Sequence, residues 1–283
     1  MSKLHADQTP EGWDKTTNKY AGKFAKNGFT GKYANDALDL TMGKEITRPN
    51  VRVLDVACGA GALSLNALDR VKQSENSLVI ATDFSLNMVE CVREVIKEEQ
   101  LTGIEANVMD GQNMTNIVND SIDYAYSIFG AIFFPDKKKG FSEFYRVLKP
   151  NGQVAISSWC YDSAICQIFI HGLEHFGIDV EKSPLKETGL SLADRDAFKA
   201  QLEQAGFADV HIHRVVHEMV IPNATDLVAM FQSNPAYESI IAALPPHSTS
   251  KSEFDATITQ HILDVFPSLV LPSPSFIGVG TKK

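Results

Sequence analysis

The stretch Val51-Arg-Val-Leu-Asp55-Val-Ala-Cys-Gly59-Ala-Gly61 drives an apolar run into a glycine-rich turn, and the reading of the fold starts there. A short apolar run between a Pro-Asn turn and a glycine loop reads as a buried strand. Glycines at its end let the backbone turn sharply and approach a ligand closely. Outward from this point the chain alternates. Residues 62–72 read as a helix, 77–82 as a strand, 85–99 as a helix with Ser85 as its cap, and 104–109 and 122–128 as strands. A helix over 138–148 stops at Lys149-Pro-Asn-Gly152, and residues 153–159 form a fifth strand. Strands and helices alternating at this spacing predict a parallel sheet with helices on both faces.

Beyond Trp159 the rhythm loosens. The sequence predicts a helix over 192–205, a β-branched strand over 210–220, an irregular helical stretch over 223–266 broken by Pro235 and Pro245-Pro246, and a last strand over 275–280. The expected fold class is therefore α/β. It has a doubly wound, seven-stranded, mostly parallel sheet, a helical N-terminal segment and a helical insertion before the last strand.

Composition bounds the function. The 283 residues are 44% hydrophobic and 22% charged, ordinary for a globular protein. A net charge of -9 disfavours a nucleic-acid partner. Cys58, Cys91, Cys160 and Cys166 form no C-x-x-C pair. No stretch approaches the ~20 apolar residues of a membrane span, and residues 1–18 lack a signal-peptide core. The expectation is a cytoplasmic protein, monomeric or homodimeric, with no membrane and no nucleic-acid partner.

In an open parallel sheet, ligands bind at the carboxyl ends of the strands. A dinucleotide and S-adenosylmethionine both suit the glycine turn. The dinucleotide fingerprint wants a third small residue where Ser64 stands. Asp55 would crowd an anionic pyrophosphate, whereas it favours a ligand with sulfonium and ammonium groups. That disfavours a nicotinamide-linked oxidoreductase.

The D-x-x-x-G-x-G pattern from Asp55 to Gly61 resembles the first motif of class I, Rossmann-like S-adenosylmethionine-dependent methyltransferases. The run Arg146-Val-Leu-Lys-Pro-Asn-Gly152, with Asn151 for the commoner glycine, is similar to the type-11, ubiquinone-methyltransferase-like small-molecule branch. Ser157-Ser-Trp159 and the overall layout also resemble fungal epidithiol S-methyltransferases. The resemblance covers roughly residues 50–160. It is not extended to the flanking caps, and the expected organisation of the whole chain has four parts: an N-terminal helical cap over 1–50, a cofactor-binding core over 51–221, a helical insertion or lid over 222–272, and a final core strand over 273–283.

The resemblance implies a set of cofactor contacts. Asp55, Ala57, Gly59 and Gly61 belong to the turn. Asp83 takes the ribose hydroxyls, Phe84 and Met88 cover the adenine, and Asp110 and Gly111 meet its edge. Ser127 ends the fourth strand, and Tyr20, with Trp13, closes over the methionine end. Phe129, Phe133, Trp159 and Tyr161, with Phe134, form the expected wall of the acceptor pocket. An aromatic core cluster is the competing reading of those rings.

The expected activity is transfer of a methyl group to a small-molecule acceptor at S, N, O or C by in-line displacement. Orientation and desolvation dominate such a step, so no dedicated catalytic residue is assigned. The alternatives are a methyltransferase acting on protein or RNA, or a non-catalytic relative that only binds the nucleotide. No metal is expected: His171 and His175 stand at i, i+4 without an H-E-x-x-H pattern. His211, His213 and His217 share one face of a strand, and whether one of them, or His171, acts as a base stays open. Lys137-Lys-Lys139 reads as a solvated surface run.

Overall fold

The structure is a computed structural model that describes residues 4–15, 26–247 and 249–283. In chain order, α1 (Pro10–Asp14) and α2 (Phe29–Thr41) precede β1 (Arg52–Val56), α3 (Ala62–Val71), β2 (Leu78–Asp83), α4 (Leu86–Glu98), β3 (Ile104–Val108) and β4 (Ile122–Ser127). Then come α5 (Lys137–Val147), β5 (Leu148–Trp159), α6 (Ala164–His175), α7 (Pro184–Glu187), α8 (Arg195–Gln204) and β6 (Ala208–Val220). The chain ends with α9 (Ala224–Gln232), α10 (Pro235–Ala242), α11 (Ser250–Val265) and β7 (Val270–Thr281).

The seven strands lie in the order β3-β2-β1-β4-β5-β7-β6. The pairs from β3 to β5 are parallel, and β7 runs antiparallel between β5 and β6. Alternation along β1 serves both faces. Leu54 and Val56 pack with Phe141 and Phe144 of α5, while Val53 packs with α2 and α3. The chain winds outward from β1 to β3, then returns to place β4 on the other side of β1. That reversal is the topological switch point, and a crevice opens there beyond the strand ends.

Three features depart from the sequence reading. First, β7 begins at Val270, not at residue 275. Pro272 and Pro274 look like strand breakers, but the pairing with β5 begins only at Ser275, so a missing N–H costs little on that flank. Second, β5 begins at Leu148, before the Pro-Asn-Gly turn. Asn151 takes a left-handed φ of 66° inside it and the register with β4 shifts there, which explains why asparagine serves where glycine is usual.

Third, residues 160–192, expected as part of the unit 51–221, do not all belong to the sheet's core. Helix α6 shares an apolar core with α9, α10 and α11. A Cβ on Gly172 would meet the Phe254 ring at 2.5 Å, so this glycine lets α6 and α11 touch. The roof over the crevice is thus built from two separated stretches of chain.

Arg146 ties the loop before β4 to α5. Its guanidinium donates to Glu143 Oε1 at 2.7 Å, to the Ile117 carbonyl at 2.8 Å and to the Met114 carbonyl at 2.7 Å. Glu143 Oε2 in turn accepts from the Met114 N–H at 2.7 Å. Charge-assisted bonds of this kind are worth about 1.5–3 kcal/mol. Arg146→Ala should lower the urea-unfolding free energy by about that amount; an unchanged midpoint would show that the loop holds itself.

Candidate functional site

The crevice holds a cavity of about 250 Å3 between the tips of β1, β2, β3 and β4. Its floor is the turn after β1. Ala57 (φ 55°), Gly59 (φ 52°) and Gly61 (φ 84°) all adopt left-handed backbone there. Phe129, after β4, does the same at φ 57°. Ala57 and Phe129 are non-glycine residues in a costly conformation, and such strain clusters at ligand sites. Gly130 is required where it stands, because a Cβ would meet that of Ala57 at 2.4 Å.

Two buried carboxylates face this cavity. Asp55 is 1% exposed, and its Oδ2 accepts from the Ser64 N–H at 3.0 Å and the Ser64 hydroxyl at 2.6 Å. Asp83 is 5% exposed, and accepts from Gly59 N–H and Ser85 N–H, each at 2.9 Å. Burial raises both acids: Asp55 to about 7, opposed by Ser64, and Asp83 to about 6, opposed by the Ser85 and Gly59 N–H groups. Each carries a charge that a positive ligand or a hydroxyl donor would stabilise. Burial and the same two acids push the Cys58 thiol well up, so it is no nucleophile.

Around the rim, Phe84, Met88, Asp110, Gly111, Gln112 and Phe134 complete the β2–β3 side. Asp110 is exposed and uses Oδ1 to accept from the Gln112 N–H at 2.8 Å. The Phe134 ring occupies the space that side chains at residues 111 and 140 would need, within 2.5 Å and 2.4 Å of the respective Cβ positions, so both are glycines. On the other side Phe129 stacks on Trp159 with centroids 3.9 Å apart, and Phe29 and Tyr33 pack against the same indole. Trp13 meets Phe133 edge-on at 5.2 Å. Behind this wall lies a second cavity of about 260 Å3, under the roof helices. Four residues line both cavities: Thr30, Phe133, Trp159 and Asn234.

The structure brings together Asp55, Ala57, Gly59, Asp83, Phe84, Met88, Asp110, Gly111, Phe129, Phe133 and Trp159 on the first cavity. Three expected site residues stand elsewhere. Gly61 caps α3 and packs under Val92, at 3.1 Å from a built Cβ. Ser127 is buried and accepts from the Ala131 N–H at 2.9 Å, shaping the loop rather than lining the cavity. Tyr161 is 44% exposed on an outer surface hollow. Tyr20 lies outside the described residues.

Other departures concern charge. Lys137 is not simply solvated: its ammonium donates to the Phe134 and Glu187 carbonyls at 3.0 and 3.1 Å, and burial lowers it to about 8. None of the histidines lines either cavity; His217 pairs with Asp36 at 2.6 Å, and His171 stacks on His261. Sequence reasoning missed Thr30 and Asn234, which sit at helix starts far from the motifs. Asn234 ahead of Pro235 was the available signal, as an Asn-Pro cap.

An open doubly wound sheet with an acidic, glycine-built strand tip defines a protein that binds a nucleoside-type ligand with a positive end. Comparison with known proteins specifies the ligand. The family described as "Methyltransferase domain" matches residues 53–152. The chain is 30% identical over 200 residues to methyltransferase ktnA of Aspergillus niger, covering 62% of this chain and 65% of that protein. It is 30% identical over 179 residues to the ubiquinone/menaquinone biosynthesis C-methyltransferase UbiE of Geotalea daltonii, covering 58% and 74%. The fold matches Haemonchus contortus phosphoethanolamine N-methyltransferase 2, solved with S-adenosylhomocysteine, at a TM-score of 0.55 and 15% identity, over 97% of this chain and 57% of that one. The match to ktnA thus spans less than two thirds of that relative's length. The chain belongs to the class I methyltransferases, whose cofactor is S-adenosylmethionine.

The buried acid gives a sign-definite test. A carboxylic acid raised to about 7 on folding, against an unfolded value of about 3.9, holds a proton that the unfolded chain has lost. Its contribution to stability therefore falls as pH rises from about 4 to about 7, and is flat above. Asp55→Asn keeps an oxygen for Ser64 and removes that titration. The ligand-free variant should gain on the wild type across this window in thermal melts. A stability difference independent of pH would mean that Asp55 does not titrate there.

Proposed function

We propose that the chain transfers a methyl group from S-adenosylmethionine to a small-molecule acceptor. The observation that carries this is the pair of buried acids, Asp55 and Asp83, facing one cavity at the switch point. The donor set fits the cofactor: two anions with no positive partner among the described residues, an open carboxylate at Asp110, and flat apolar surfaces beside them. In this reading Asp83 holds the ribose hydroxyls, and Phe84 and Met88 flank the adenine, whose edge meets Asp110 and the Gly111 N–H. Asp55, Ala57 and Gly59 surround the methionine end. Gly61 and Ser127 act by shaping the turns, and Tyr20 is assigned to the methionine end through the resemblance alone.

When bound, the cofactor supplies an activated methyl group on a sulfonium that leaves as a neutral thioether. The residues of this chain orient and exclude water. Phe129 and Trp159 present aromatic faces where a sulfonium is favoured. The second cavity, reached past Phe133 and Trp159, takes the acceptor. Together the two cavities suit the roughly 300–1,000 Å3 of ordinary small-molecule sites. The names of the relatives support a small acceptor, UbiE being named for quinone biosynthesis.

Calorimetry should detect S-adenosylmethionine or S-adenosylhomocysteine at micromolar Kd, about -8 kcal/mol; no heat at millimolar ligand would sink the proposal. Asp83→Ala should cost about 1.5–3 kcal/mol of that affinity. The methyl donor's positive charge binds the ionised acids, so its affinity should rise from pH 5 to pH 8 and level above the Asp55 value of about 7. A flat profile would place the cation away from both carboxylates.

A further inference from the structure

The second cavity is apolar, with Ile165, Phe169, Leu185, Met219, Phe231 and Ile240 among its walls. Its polar side chains divide into two groups. Those deep under the roof are spent: the Thr188 hydroxyl donates to the Pro184 carbonyl at 2.9 Å, and the Tyr237 hydroxyl donates to Asp255. Those at the doorway into the cofactor cavity are not. Asn234 uses only its Oδ1, which accepts from the Ala236 N–H at 2.9 Å and caps α10. Its amide nitrogen keeps two N–H donors without a partner among the described residues. The Thr30 hydroxyl, in the first turn of α2, is likewise unengaged among the described residues. Both residues border both cavities, beside Phe133 and Trp159.

We infer that Thr30 and Asn234 are positioning residues that together hold an oxygen of the methyl acceptor, a carbonyl or phenol oxygen on a flat, uncharged, apolar molecule of one or two rings. This rests on the reading of the second cavity as the acceptor chamber. The chemistry follows from the donor count. Such an oxygen has two lone pairs and can accept from two donors that border the same doorway, whereas an apolar edge there would leave both donors unsatisfied. Sites that hydrogen-bond a substrate oxygen reject analogues lacking it far more strongly than apolar pockets reject a changed methyl group. The oxygen anchored at the doorway sets which neighbouring atom of the acceptor faces the cofactor, so these two residues govern regiochemistry as well as affinity.

The test uses the full chain loaded with S-adenosylhomocysteine, titrated with 2-hydroxyacetophenone and with the oxygen-free, uncharged 1-ethyl-2-methylbenzene. The wild type should bind the oxygen-bearing probe about tenfold or more tightly, ~1.4 kcal/mol. Asn234→Asp keeps the cap oxygen for Ala236, since aspartate caps as well as asparagine, but deletes the amide donor; it should abolish the preference at unchanged melting temperature. Thr30→Val should weaken the preference and Thr30→Ser restore it. Equal binding of the two probes by the wild type, binding of neither, or a preference that survives in both Asn234→Asp and Thr30→Val overturns the inference. Failure of the wild type to bind S-adenosylhomocysteine at all overturns the functional reading beneath it, and the inference with it; intact cofactor binding with no probe preference overturns the inference alone.

Discussion

The molecule is organised around a carboxylate that it buries with no cation beside it among the described residues. Asp55 sits at the end of β1, and among the described residues the groups that satisfy its Oδ2 are the N–H and hydroxyl of Ser64, in the first turn of α3. This clamp sets the relation of strand to helix, and hence the path of the turn between them. The turn then has to use left-handed backbone at Ala57, Gly59 and Gly61, and the Gly59 N–H so presented is captured by Asp83 from the neighbouring strand. Two acids, one glycine and one serine thus lock the tips of β1 and β2 together. The locked state carries an electrostatic cost, visible in both raised pKa values, that a cationic ligand with hydroxyls is suited to relieve.

Much of this was legible in the sequence because the constraint is local. The pattern from Asp55 to Gly61 spans one turn, and the strand and helix beside it are too strongly patterned to mistake. Asp83, Asp110 and Gly111 follow at strand ends, where the alternation of the fold puts them without any knowledge of tertiary contacts. Ser64 was legible only in part. It stood out as a departure from a dinucleotide fingerprint, but its use as the partner of Asp55 depends on the helix's first turn folding back over the strand end, which spacing alone does not reveal.

The roof was harder to read, for a physical reason. Its core joins α6 to helices some fifty residues or more further along, with β6 in between. Periodicity reports which face of a helix is apolar but not which helix covers it. Pro272 and Pro274 added a second obstacle, since a proline that breaks a central strand is harmless where one neighbour is missing. Tyr161 illustrates the same limit: an aromatic two residues past a site tryptophan lies on the outer surface, because the chain turns away at Cys160 to begin α6. Ser127 was assigned by position to the ligand and serves the loop instead, where its hydroxyl holds the Ala131 N–H in the turn that brings Phe129 to the wall.

The two halves of the site therefore differ in kind. The donor side is built from strand ends and turns, held by backbone hydrogen bonds to buried acids, and little in it is free to change without undoing the sheet's edge. The side proposed for the acceptor is built from side chains on packed helices, where methionines and branched residues are exchanged at modest cost. Between them stand Phe133, edge-on to Trp13, and Trp159, fixed in the stack with Phe129, together with Thr30 and Asn234, each with a donor unengaged among the described residues. On the proposed placement, a change of acceptor in a chain of this design needs no change in the turn after β1. It needs a change at the doorway and in the roof, and the residues that make the class recognisable are for that reason the ones that say least about what is methylated.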